Sequence, residues 1–145
     1  MPDPFRRNRW LFDTGADLYT INDAKWFKGN EYTKYTREIP VITGGGIVYP
    51  TYISRVEVSL VGLDSKKRVI VLSYTILIPK FPINIFSGER FYLAGGYLNK
   101  NKITDPTGAV VATIDVKKRG FYLYVFGASE NLKGLAKAML TSTEE

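Results

Sequence analysis

The sequence predicts an all-β fold with one or two short helices and a C-terminal helix. Three observations predict it. Tyr, Phe, Val and Ile are plentiful and fall in short runs, a composition that suits strands. Polar or glycine-rich turns separate those runs near residues 43–46, 64–67, 105–108 and 117–120. Apolar residues at helical spacing, Leu132, Leu135, Ala136 and Met139, come only near the end. With 145 residues, 45% of them hydrophobic, the chain fits one compact domain that can build a core.

Residues 9–12 are an apolar run that reads as a strand running into the turn Asp13-Thr14-Gly15-Ala16-Asp17. Asn22 is placed to cap a brief helical turn through Trp26 and Phe27, and residues 29–36 read as loop. Residues 39–42 form a strand, Thr43-Gly44-Gly45-Gly46 a flexible tip, and residues 47–63 a long strand pattern. Within it Ile53, Val56, Val58 and Leu60 partly alternate with polar residues. A hairpin turn at 64–67 returns the chain along an apolar strand, 68–79. Pro79 and Pro82 bracket a kink, and Ile83-Asn84-Ile85-Phe86 leads into a short helix over 87–93, ended by Gly95 and Gly96. Residues 97–104 read as a strand, and Asp105-Pro106-Thr107-Gly108 as a turn. Residues 109–116 and 121–126 are two further strands around the basic turn 117–120. A terminal helix is expected over 128–140, with a polar tail behind it. There is no repeat, low-complexity segment or linker, so the organisation is one domain over 1–127 with the helix and tail, 128–145, appended.

The absences narrow the chemistry. The chain has no Cys and no His. A cysteine nucleophile, a Ser-His-Asp triad and a histidine or thiolate metal site are excluded. Chemistry rests on Asp, Glu, Lys, Tyr, Ser or Thr. The net charge is +6, but Arg6-Arg7, Lys66-Lys67-Arg68 and Lys117-Lys118-Arg119 are too short for a basic arm. The last two clusters fall in turns, where solvation explains them; contact with nucleic acid is compatible with the charge but not required. No stretch approaches the roughly 18 apolar residues of a membrane span. The polar, basic start has no apolar segment behind it, so no secretion signal and a cytoplasmic or nuclear location are expected.

Leu11-Phe12-Asp13-Thr14-Gly15-Ala16-Asp17 resembles the active-site signature of retropepsins, the aspartic proteases of retroviruses and LTR retrotransposons. The resemblance implies that Asp13 activates a water for attack on a peptide carbonyl. It implies that Thr14 bonds across to a partner loop, and that Asp17 contacts the substrate backbone. Gly15 would let the backbone turn tightly beside the substrate. One carboxylate is not sufficient, because the mechanism needs a pair sharing a proton. A second Asp-Thr/Ser-Gly is missing: Asp105-Pro106-Thr107-Gly108 carries an inserted proline, and Asp64-Ser65 is followed by Lys66. The second Asp13 must come from a second chain, which implies a twofold homodimer.

Three further segments carry the resemblance. Ile42, Thr43, Gly44, Gly45, Gly46, Ile47, Val48 and Tyr49 lie where a retropepsin has its flap, and glycines permit the opening motion. ILIPKFPINIFSGERF, residues 76–91, resembles the corresponding segment of Ty1/copia-type proteases. Its Ile85-Phe86-Ser87-Gly88-Glu89-Arg90 is stretched relative to the usual aliphatic-aliphatic-Gly-Arg. Residues 103–124 are similar to the segment that follows the protease in copia-type polyproteins, with Gly120-Phe121-Tyr122-Leu123-Tyr124 at its end. The resemblance covers residues 10–125. It implies an acid-protease barrel whose substrate is an extended peptide of the element's own Gag-Pol-type polyprotein, processed in the cytoplasm, including virus-like particles. Strand-like backbone bonds would bind that peptide, with Ile47, Ile83 and Ile85 shaping side-chain pockets and no metal or organic cofactor. Interleaved terminal strands commonly tie such dimers together; residues 5–9 suit that task, whereas the helical C-terminal end departs from the pattern. The competing expectation is a domesticated, inactive domain of the same kind that binds protein or RNA.

Overall fold

The computed structural model describes residues 8–27, 33–34, 41–43, 46–48, 50, 52–64, 66–117 and 120–128. These form β1 (Arg9–Asp13), β2 (Thr20–Ile21), a 3-10 turn (Ala24–Trp26), β3 (Thr33–Lys34), β4 (Val41–Thr43), β5 (Gly46–Val48), β6 (Tyr52–Val61) and β7 (Lys67–Leu77). They continue as β8 (Ile85–Ser87), α1 (Gly88–Leu93), β9 (Tyr97–Asn99), β10 (Lys102–Thr104), β11 (Val110–Thr113), β12 (Asp115–Lys117), β13 (Gly120–Tyr124) and β14 (Phe126–Gly127). The fold is all-β, as the sequence predicts.

The main sheet runs β12-β13-β1-β8-β2-β7-β6-β14, with β3 also on β6. β1 lies between β13, antiparallel with Trp10 opposite Leu123, and β8, parallel with Phe12 opposite Phe86. Its side chains alternate, so Trp10 and Phe12 are buried while their neighbours are half-buried. β13 and β14 sit near opposite ends of this path, yet Val125 alone separates them in the chain. The sheet must therefore curl until its ends approach. β13 thus supplies a neighbour to β1, and residues 120–127 belong to the sheet.

The core fills that curl. Phe86 packs on Phe12, Tyr19 and Phe91, with ring centroids 6.0, 5.2 and 5.5 Å away. Trp10 meets the edge of Trp26 at 5.2 Å. Aromatic pairs in such geometry contribute beyond their buried area. A three-stranded sheet, β11-β10-β9, and the β4–β5 hairpin complete the described structure.

Several element boundaries differ from expectation. The loop expected over 29–36 contains β3, which pairs Thr33 with Ile53. The long strand expected over 47–63 is two: β5 pairs with β4, and β6 with β7. Pro50, which has no N–H to give a ladder, lies between them. The strand expected over 97–104 is a tight hairpin turning at Lys100 and Asn101, with Lys100 in the left-handed region at φ 57°. Residues 109–116 split at Ile114, because β11 joins β10 whereas β12 joins β13. The strand expected over 121–126 breaks at Val125, whose N–H turns to the Asn8 carbonyl at 2.8 Å. The cap of the 3-10 turn is Asp23, whose carboxylate accepts the Lys25 N–H; Asn22 is occupied elsewhere. The helix expected over 87–93 starts at Gly88 with Ser87 as its cap. Of the terminal helix expected over 128–140, residues 129–140 lie outside the described residues, as do residues 5–7, Gly44, Gly45 and Tyr49.

Candidate active site

β1 ends at Asp13, whose register partner on β8 is Ser87. Parallel pairing sends both strands out at the same edge of the sheet. The loop after β1 and the helix after β8 therefore meet there. The Asp13 carboxylate accepts the Gly15 N–H at 2.8 Å, and Asp13 itself is half-buried while Thr14, Gly15 and Asp17 are exposed.

α1 grips this loop at two points. The buried Ser87 hydroxyl donates to the Ala16 carbonyl and accepts the Arg90 N–H at 3.0 Å. A hydroxyl has one hydrogen and two lone pairs, so one side chain can cap the helix and hold the loop together. Arg90 Nε donates to the Asp17 carbonyl at 3.4 Å, and the Arg90 guanidinium lies 4.9 Å from the centre of the Tyr74 ring. Below, burial pushes the Tyr19 phenol well above its usual value, while the Arg90 charge pulls the other way.

The two glycines of the site differ. A Cβ on Gly88 would lie 3.0 Å from Phe12 Cζ and 3.2 Å from Thr14 Cα, so a side chain there would make the Phe12 ring and the Thr14 backbone give way by a few tenths of an ångström. A Cβ on Gly15 would meet Asp13 Oδ1 at an ordinary 3.5 Å, and Gly15 has no left-handed backbone. The tight turn expected to need Gly15 does not need it.

Asn84 ties the approach to β8. Its buried side-chain carbonyl accepts the Asn22 N–H at 2.7 Å, and its backbone carbonyl accepts the Leu11 N–H at 2.9 Å. Asn22 Nδ2 in turn donates to the Phe81 carbonyl at 2.9 Å. The segment between Pro79 and Ile85 is thereby fixed to both β1 and the chain after β2.

Beside the loop lies a cavity of about 420 Å³ lined by Phe12, Thr14, Gly88, Phe91, Tyr97 and Leu98 among others. Tyr92, 69% exposed, and the exposed Tyr97 and Leu98 form an apolar surface around it, and Leu93 next to Tyr92 in α1 is exposed as well. β9 is moreover the edge of its sheet. Sequence reasoning missed this face, although the apolar pairs Tyr92-Leu93 and Tyr97-Leu98 flanking Ala94, Gly95 and Gly96 were a usable signal.

The expected flap residues Ile42, Thr43, Gly46, Ile47 and Val48 do form a hairpin, with Ile42 opposite Ile47 and Thr43 opposite Gly46. Ile47 is exposed there, whereas Ile83 and Ile85 are half-buried, and none of the three lines the cavity. Among the described residues no three Asp or Glu side chains gather as a metal site requires, and no helix is long and apolar enough to cross a membrane. No family model matches the chain, and no curated protein and no solved structure matches it.

Proposed function

We propose that this chain is one subunit of a homodimeric aspartic endopeptidase with a retropepsin-type barrel. The observation that carries the reading is the grip of α1 on the Asp13–Asp17 loop through Ser87 and Arg90. A loop with the Asp-Thr-Gly-Ala-Asp sequence is thereby held, across 71 and 73 residues of chain, by the segment that bears the second resemblance to the same family. Gly15 supports it too: nothing described in the chain requires glycine there, and an extended peptide or a second copy arriving from outside would. The exposed apolar face of α1 and β9 beside Thr14 suits a second copy, which would bring its own Asp13 to the twofold axis.

In the mechanism, one Asp13 carboxylate takes a proton from the water as its oxygen adds to the peptide carbonyl carbon. The protonated carboxyl of the other Asp13 gives its proton to the carbonyl oxygen. Collapse of the tetrahedral adduct breaks the C–N bond, and the amine leaves with a proton. Asp17 would hold the substrate backbone, and the β4–β5 hairpin would cover the peptide. The substrate is the polyprotein of an LTR retrotransposon, processed in the cytoplasm or in virus-like particles.

The test is cleavage of a mixed peptide library between pH 4 and 7 by wild type and Asp13→Asn. Cleavage strongest in mild acid and abolished in a folded Asp13→Asn protein is expected. A well-folded dimer that cleaves nothing at any of these pH values overturns the reading.

A further inference from the structure

Tyr74 is an exposed aromatic residue in a backbone conformation that disfavours it. Its φ is 56°, the left-handed region, and it is not glycine. β-Strand residues seldom go there, and a bulky side chain makes the departure more costly. The cause is a bulge in β7. Ser54 and Val56 on β6 face Thr75 and Leu72, so Ser73 and Tyr74 together oppose the single residue Arg55. The buried Thr75 hydroxyl donates to the Leu72 carbonyl at 2.8 Å and closes the bulge from inside.

The bulge has a directional result. In an unbulged strand the residues after Leu72 would alternate between the two faces of the sheet. The extra residue instead aims the Tyr74 ring at Arg90, whose guanidinium sits 4.9 Å from the ring centre, within cation–π range. Arg90 is the residue whose Nε holds the Asp17 carbonyl. Just past the bulge, the Ile76 N–H donates to the Tyr19 carbonyl at 3.0 Å, tying β7 to the far end of the same loop. The ring is 59% exposed, so burial does not account for the strain.

We infer that Tyr74 is a positioning residue: the bulge of β7 presents its ring to Arg90 so that Arg90 holds the outer end of the Asp13–Asp17 loop in one conformation. Asp17 is the part of that loop which, under the proposed protease reading on which this inference rests, meets the substrate backbone. Tyr74 thus serves substrate binding through Arg90 and does not touch the reacting atoms.

The strain gives the inference a signature that ordinary structural support lacks. Tyr74→Gly removes both the strain and the ring, so a purely structural tyrosine would simply be replaced by a more stable variant with an unchanged loop. A positioning tyrosine gives a rise in melting temperature together with a looser loop. The experiment compares wild type, Tyr74→Gly, Tyr74→Asn and Tyr74→Phe by amide hydrogen exchange at Gly15, Ala16, Asp17 and Leu18, and by KM and kcat on a cleaved peptide. Asparagine also tolerates the left-handed region, and serves if the glycine variant does not fold. Expected are exchange at least threefold faster at Ala16 and Asp17 in the glycine and asparagine variants, wild-type exchange in Tyr74→Phe, and a KM raised several-fold with kcat nearly unchanged. Unchanged loop exchange in Tyr74→Gly or Tyr74→Asn overturns the inference whether or not peptide is cleaved. Absence of cleavage by wild type, with the exchange difference present, overturns the protease reading and leaves the positioning role standing.

Discussion

The Asp13 loop and the Asp105 turn have similar sequences and opposite construction. Both carry an aspartate, a threonine and a glycine within four residues, and in both the carboxylate accepts the backbone N–H two residues on. Asp105 goes further: its carboxylate also takes the Thr107 hydroxyl at 2.6 Å and the Ala109 N–H at 3.1 Å, and its backbone closes on Gly108 and Ala109. These local bonds, led by the Thr107 hydroxyl, hold its carboxyl below the usual carboxylate range. The turn is self-sufficient. The Asp13 loop is instead held from far along the chain by Ser87 and Arg90. Asp23 and Asp64 make the same two-residue bond, to Lys25 and Lys66. The short bond is therefore common property of aspartate in turns. Support from a distant segment is what sets Asp13 apart.

The largest expected effect breaks that comparison at its centre. Asp13→Asn lowers kcat by roughly four orders of magnitude, as loss of an essential catalytic group does, with the melting temperature kept. Asp105→Asn leaves peptide cleavage intact and lowers the melting temperature slightly. Parallel thermal melts and peptide assays separate the two.

Ser87→Ala comes next. It removes the cap of α1 and the grip on Ala16 at once, so it costs about 1–2 kcal/mol of stability in denaturant titration and reduces kcat/KM. A full loss of stability with no change in kcat/KM would mean that the loop does not depend on the distant support.

The glycines sharpen the contrast. Gly88→Ala forces the new methyl against the Phe12 ring and the Thr14 backbone, and loses about 1–3 kcal/mol in the same titration. Gly15→Ala meets no such obstacle and keeps wild-type stability, but loses peptide cleavage at least about tenfold, the order of a misplaced bound substrate. Equal stability losses in the two variants would remove the argument that Gly15 serves something outside the chain.

The smallest effect concerns Asp64. The Arg68 guanidinium, 2.8 Å away, and the Lys66 N–H hold its carboxyl down to about 2. A depressed carboxyl stabilises the fold above its ordinary value, about 4, and that contribution disappears as pH falls through about 2. Arg68→Ala returns the Asp64 carboxyl toward the ordinary range in an NMR titration. Stability at neutral pH barely changes, because the pair is solvent-screened.

The sequence alone determined the all-β class, because β-rich runs and the turn residues between them are local properties. It determined α1 as well, through the glycines that end it, Gly95 and Gly96, while the role of Ser87 as its cap came from the structure. The Asp13–Asp17 segment stood out through its resemblance to the retropepsin signature, while the lack of Cys and His only removed other hydrolytic chemistries. Strand breaks at Lys100, Ile114 and Val125 were illegible. The first two fall between local hairpin strands with no Gly or Pro to mark the turn; at the third, β13 goes to β1 and β14 to β6, partners that no window of sequence contains. Tertiary structure alone decided that β13, more than 100 residues downstream, flanks β1, and that Ser87, Arg90 and Tyr74 converge on one loop. The physical reason is the same in each case. Parallel pairing of β1 with β8 and the bulge in β7 are long-range geometric facts. A one-residue shift in either register would send these side chains to the other face of the sheet.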